Sequence, residues 1–146
     1  MRNSFVLFPR DLKARHDEAM ELVKTQKGEL LNKAIQAIFG TLNNSYSFTW
    51  RGMLARAPVS ADEIIAEGHA LHHCVATGSY IENMAKGKCC ILLIRRVEQP
   101  EASFFTAEVR DSMVVQCRGQ NNCGMTDDVK KFVAEWQKKK LQQQRA

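Results

Sequence analysis

A chain of 146 residues, 45% hydrophobic and 25% charged, has the profile of one folded domain and excludes a disordered or fibrous protein. The formal net charge of +5 permits nucleic-acid contact without demanding it, and no window approaches the roughly 20 apolar residues of a membrane span. The opening M-R-N-S-F-V-L-F-P-R has too short an apolar run for a signal peptide. The reading is therefore a cytoplasmic protein whose five cysteines, Cys74, Cys89, Cys90, Cys117 and Cys123, stay reduced.

In chain order, Pro9 and Asp11 read as the start of a polar helix reaching about Thr25. From Glu29, the residues Leu30, Leu31, Ala34, Ile35, Ile38, Phe39 and Leu42 recur at helical spacing, and N-N-S at Asn43 to Ser45 is expected to break that helix. Residues 1–44 thus form a helical N-terminal segment, a hairpin packed on the rest. Tyr46, Phe48 and Trp50 alternate with polar residues as a half-buried strand does, and Gly52 and Pro58 bound a second strand, Met53 to Ala57.

Ser60-Ala-Asp-Glu63 has the form of a capping box and launches a helix with Ile64, Ile65, Gly68 and Leu71 on its inner side. Ser79 to Glu82 repeats the pattern, and Lys86-Gly87 supplies a stop. Cys89 to Ile94 is an unbroken apolar run suited to a central strand covered on both faces. A return strand, Ser103 to Arg110, and a third, Val114 to Arg118, complete an antiparallel meander.

A three-residue connection, Asp111 to Met113, would set Arg110 opposite Val114, Glu108 opposite Gln116 and Thr106 opposite Arg118. Phe105, Ala107, Val109, Val115 and Cys117 would then share the other face. Thr126 caps a final helix with Val129, Phe132, Val133 and Trp136 as its apolar stripe, and the closing L-Q-Q-Q-R-A is expected to fray. The prediction is an α+β fold over a single domain, 1–146, with the small sheet and its helices in 45–146.

Glu67 to Val75, E-G-H-A-L-H-H-C-V, gathers a carboxylate, three imidazoles and a thiol at the end of one helix. Three chemistries could use it. His73 beside Cys74 could activate a thiolate. Glu67, Glu108 and Gln116 could hold Mg²⁺ or Mn²⁺, with Arg110 or Arg118 on a scissile phosphate. His72 or His73 with Cys74 and either Cys117 or Cys123 could hold a structural zinc, the weaker metal reading because the spacing is irregular. Against all three, the cysteines suit a core as small hydrophobes, and His73 could simply bridge Glu108 or a helix-end carbonyl.

The ordered motifs F-P-R-D-L-K-x-x-H-D, E-G-x-x-L-H-H-C-V, a following tyrosine, A-K-G before a strand ending I-R-R, T-x-E-V-R, V-V-Q-C-R-G-Q-N-N and K-K-F-V-A-E-W resemble the PcfJ-like family. The resemblance implies a kinship with phages, conjugative plasmids and other mobile elements, and a C-terminal portion standing alone. Carried over residue by residue, its motif positions are Glu67, His73, Cys74, Tyr80, Arg95, Thr106, Glu108, Gln116, Arg118, Gly119 and Asn121. One departure is the A-T-G-S stretch between Val75 and Tyr80, longer than the family's glycine turn.

The expected roles follow. His73 is a general base or ligand, Cys74 a candidate nucleophile, and Glu67 and Glu108 the carboxylates. Gln116 and Asn121 orient by hydrogen bonding. Arg95, Arg110 and Arg118 contact phosphate, with Lys138, Lys139 and Lys140 as further nucleic-acid contacts. The expected function is a nucleic-acid-directed module, binding or processing. The alternative is a non-enzymatic, anti-CRISPR-like inhibitor whose partner is a bacterial defence protein.

Overall fold

The computed structural model describes residues 26–73 and 78–142. The predicted helix from Pro9 to Thr25 lies outside them, as does Cys74. Helix α1 (Gln26–Tyr46) carries the expected stripe, but Leu30 is 62% exposed, and burial centres on Ile35 with Ile38, Phe39 and Leu42 packed beside it. N-N-S does not break the helix. Asn43 Oδ1 accepts the Ala57 N–H at 3.0 Å, and the Tyr46 carbonyl accepts Trp136 Nε1–H at 2.7 Å. Tertiary partners thereby hold turn-prone residues on the helical path.

Five strands, β1 (Phe48–Trp50), β2 (Met53–Arg56), β3 (Cys90–Arg96), β4 (Phe105–Arg110) and β5 (Met113–Arg118), form one antiparallel sheet in chain order. Two tight turns set its hairpins. Arg51 and Gly52 have φ of 47° and 80°, and Asp111 and Ser112 have φ of 52° and 61°. Positive φ at both central residues is what a two-residue turn needs to match the right-handed twist of its strands.

The second turn corrects the predicted connection. Arg110 pairs with Met113 and Val109 with Val114, and the register shifts between Glu108 and Val109, so that Glu108↔Gln116 and Thr106↔Arg118 stand as predicted. A shorter turn and a one-residue bulge compensate each other. The bulge leaves Val115 without an opposite residue and 52% exposed, while Val114 takes the expected inward place.

Strand alternation divides the sheet into two faces. Ala55, Leu92, Ile94, Phe105, Ala107, Val109 and Cys117 share one, beneath helix α4 (Asp127–Trp136) and its Val129, Phe132, Val133 and Trp136. As predicted, Thr126 caps α4, with its hydroxyl accepting the Val129 N–H at 3.5 Å. The helix does not fray at Leu141. A π-helical turn, Gln137–Leu141, inserts an extra residue per turn and carries Leu141 to 0% exposure in the same core.

The other face is roofed by α1, α2 (Ala61–Leu71) and α3 (Gly78–Ala85), through Ile35, Ile64, Ile65, Ile81, Met84 and Ile91. Strand β3 is thus covered on both sides, as its unbroken apolar run implies. Ser79 lies inside the first turn of α3 and not at its cap, because the helix already begins at Gly78. Gly87, at φ 78°, ends the segment, with its N–H bonded to the Met84 carbonyl at 3.0 Å. No helix among the described residues is long and apolar enough to cross a membrane.

The capping box at α2 is real but altered. Ser60 Oγ accepts the Glu63 N–H at 3.2 Å, while Glu63 accepts from Val59 N at 2.8 Å and from Arg56 at 2.5 Å and 3.0 Å. Burial would raise the Glu63 carboxyl, yet the Arg56 bond, the Val59 amide and the neighbouring charge together hold it below its usual range. A lowered folded pKa contributes stability above the unfolded value near about 4.3 and loses it as pH falls through the folded one. Glu63→Gln is expected to reduce the urea midpoint at pH 7 and to flatten its decline between about pH 5 and 2. An unchanged acid profile would deny the ion pair that role.

Candidate functional site

The end of α2 decides which of its histidines can act. His72 adopts a left-handed conformation (φ 55°, ψ 48°), and the His73 N–H closes back on the Gly68 carbonyl at 3.2 Å. A left-handed residue in this position reverses the chain direction, a task usually given to glycine. His69 and His72 are left exposed, with ring centroids 6.5 Å apart, and His73 turns onto the sheet at 4% exposure.

His73 Nε2 lies 2.9 Å from Thr106 Oγ1, a contact beyond the Glu108 and helix-end carbonyl partners the sequence suggested. The Thr106 hydroxyl donates to Glu67 Oε2 at 2.5 Å. A hydroxyl has one proton to give, so Nε2–H of His73 is the donor to Thr106. Glu67 sets the imidazole tautomer through Thr106.

Glu67 does not join Glu108 in lining the pocket described below. Its side chain is wholly buried and accepts from Arg95 Nη1 at 3.1 Å, Arg95 Nη2 at 2.7 Å and Ser103 Oγ at 2.8 Å, besides Thr106. Arg95, expected on a phosphate, is 4% exposed and committed to this pair. Neither lines the pocket.

The pocket itself has a volume of about 110 Å³ and opens between the end of α2, α3 and the β4–β5 hairpin. His73 and Tyr80 form one wall, Thr106 and Glu108 the β4 side, and Gln116 and Arg118 the β5 side, with Asn122 at the end. Glu108 Oε2 accepts Arg110 Nε at 2.6 Å, while Gln116 Nε2 reaches both Glu108 Oε1 and the Tyr80 hydroxyl at 3.3 Å. Tyr80 therefore joins the set despite the longer approach turn.

Arg110 is exposed and held by Glu108, and that bond raises its pKa above an already high value. Arg118 is exposed in the pocket and has no carboxylate partner among the described residues.

Asn122 lines the pocket in place of the expected Asn121. Both are left-handed, at φ 62° and 55°, within a turn closed by Asn122 N to Gly119 O and Gly119 N to Cys123 O, each 3.0 Å. A Cβ on Gly119 would stand 2.7 Å from the Phe105 ring, so only glycine lets this loop lie against the strand. The Asn-Asn pair signals the turn, but which asparagine faces the pocket depends on that close approach.

Lys138, Lys139 and Lys140 do not approach the pocket side. They follow α4, which covers the opposite face of the sheet, where Lys138 pairs with Glu135 at 3.2 Å and Lys140 reaches the Asn44 carbonyl at 3.5 Å. Burial pushes the Cys89 thiol up, Cys90 to about 11 and Cys117 to about 12. These three behave as core residues and not as thiolates at neutral pH. Among the described residues no group of three His, Cys, Asp or Glu side chains is placed to hold a metal ion.

A family model described as PcfJ-like protein matches residues 1–133. The Listeria innocua serovar 6a protein described as "Uncharacterized protein Lin1253/Lin1744" is 28% identical over 137 residues, covering 90% of this chain and 29% of that relative. The chain thus spans less than a third of its curated relative. No solved structure gives a significant match.

Proposed function

The chain belongs to the PcfJ-like family, and from that premise we propose that its pocket engages the phosphodiester backbone of a nucleic acid, as the binding or processing site of a phage or mobile-element module. One observation carries this reading. Arg56, Arg95 and Arg110 are each ion-paired, whereas Arg118 stands in the pocket with its charge uncompensated among the described residues. Gln116, Tyr80 and Asn122 place neutral hydrogen-bonding groups around it. A cation ringed by such groups suits a phosphoryl oxygen. The net charge of +5 favours the encounter.

The test is a gel shift with end-labelled single-stranded DNA, duplex DNA and RNA over a salt series. Binding should weaken as salt rises, and Arg118→Ala should weaken it further while reducing the salt slope by about 1. If no polymer is retained at low salt, the pocket does not serve nucleic acid, and the protein-directed inhibitor becomes the working reading.

A further inference from the structure

We infer that one end of the sheet is a second contact surface, where the unpaired bases of a single-stranded nucleic acid stack on two arginine–aromatic pairs, Arg51 with Trp50 and Arg96 with Phe104. The inference rests on the phosphodiester reading above and extends it from a phosphate at Arg118 to the bases. Its basis is where the arginines without a carboxylate stand. In this antiparallel sheet β1, β3 and β5 run the same way, so their last residues lie at one end. Arg51 follows the last residue of β1, Arg96 closes β3 and Arg118 closes β5. All three are exposed, and none forms an ion pair among the described residues. The other described arginines, Arg56, Arg95 and Arg110, are each paired.

Two of the three meet an aromatic ring. The Arg51 guanidinium lies 4.6 Å from the Trp50 ring centroid, and that of Arg96 lies 4.3 Å from the Phe104 centroid. The ring quadrupole holds each cation in place. Arginine planes and aromatic faces are the surfaces on which splayed bases stack. Trp50 pairs with Met53, and Met53 with Arg96, so the three share one face in a row across the sheet. Trp50 and Arg96 are thus two strand spacings apart, about 10 Å. The frame is fixed: Val97 N–H bonds the Gly52 carbonyl at 2.9 Å, Phe104 meets buried Phe105 edge-on with centroids 4.9 Å apart, and Met53 is 5% exposed. A surface already ordered loses less freedom on binding.

The chemistry selects unpaired bases. Inside a duplex each base is already stacked on both faces, whereas a single strand has free faces to offer. Charge argues the same way. Glu98 and Glu101 are exposed on the loop joining β3 to β4, so they offset part of the attraction for phosphate here, and stacking has to supply the rest. The span is short. Arg118 pairs with Thr106 and Thr106 with Leu93, three residues before Arg96 and two strands away, which puts the two arginines' backbones about 14 Å apart. About four nucleotides of a stacked strand cover that distance at ~3.4 Å each.

The experiment measures binding of the full chain to four labelled oligonucleotides of equal length: single-stranded DNA, single-stranded RNA, a DNA strand abasic throughout, and duplex DNA. Wild type is run beside Trp50→Leu, Phe104→Leu, which keeps every charge, and Arg51→Asn, Arg96→Thr, which alters only exposed side chains. A thermal melt establishes that each folds. The expected result is that an intact single strand binds at least about 10-fold tighter than the abasic strand or the duplex. Losing the rings should weaken intact single strands by about 5–150-fold for each base that loses its platform, with the abasic strand and the salt slope unchanged. Losing the arginines should narrow the same gap.

Tight binding of either the DNA or the RNA strand bears the inference out, and the stronger names the sugar this surface takes. An abasic strand or duplex held as tightly as both intact strands, or a folded ring variant that matches wild type, would overturn it while leaving the phosphate contact at Arg118 intact. Failure to retain any of the four would bring down both. The abasic and duplex comparisons on wild type decide the matter even if a variant fails to fold.

Discussion

Replacing Arg95 with methionine is expected to destabilise the protein by about 3–5 kcal/mol, because it leaves the Glu67 carboxylate buried without its counter-charge. Glu67 is 1% exposed, and Ser103 and Thr106 alone cannot neutralise it. For a chain of this size the melting temperature should fall by on the order of 10 °C. The double variant Arg95→Met, Glu67→Leu should recover much of that loss, since removing both charges removes the desolvation cost with the attraction. Recovery should stay incomplete, because Ser103 and Thr106 lose their acceptor. Urea midpoints of the three variants decide it: a single variant within about 1 kcal/mol of wild type would mean that water reaches Glu67 and that the pair is not truly buried.

The pair also shows why stability alone does not explain these residues. Arg95 Nε has no acceptor among the described residues, so the guanidinium is not fully satisfied. An apolar pair would pack there at less cost, but it would release the Thr106 hydroxyl that fixes His73. A mutant that restores stability and loses the His73 tautomer, read from imidazole ¹⁵N shifts, would separate the two roles.

The α+β architecture was legible because it depends on local patterns. The unbroken run of β3, the alternation of β4 and the cap at Thr126 each state their environment within a few residues. Strand parity even located the face on which Thr106, Glu108, Gln116 and Arg118 meet, because a bulge restored what the shorter turn displaced.

The allocation of roles on that face was not legible. Nothing local tells Glu67 from Glu108, yet one lies on α2 pointing inward at Arg95 and the other on a strand open to the pocket. Arg95 and Arg118 are likewise both strand arginines, separated only by whether a helix covers them. His73 differs from His69 and His72 through a single left-handed backbone at His72, a conformation that histidine does not announce. Leu141 required the π-helical turn, which carries it into the core although it follows the polar run Lys138 to Lys140 and lies in the terminal stretch expected to fray.

Trp136→Ala is expected to cost about 3–5 kcal/mol, the loss of a fully buried aromatic together with the cavity that remains. Trp136→Phe should cost less but not nothing. It keeps most of the apolar area against Phe132, whose ring centroid lies 6.2 Å away, yet it strands the Tyr46 carbonyl that Nε1–H now satisfies at 2.7 Å. An unpartnered acceptor of that kind costs about 1–3 kcal/mol.

Because Trp136 lies on the face opposite Arg95 and shares none of its hydrogen-bond partners, Trp136→Phe and Arg95→Met should add to within about 0.3–0.5 kcal/mol. A larger coupling in chemical denaturation would show that β3 transmits strain between its two faces. The pocket could then be tuned from the α4 side; additivity would leave its geometry to α2, α3 and the β4–β5 hairpin alone.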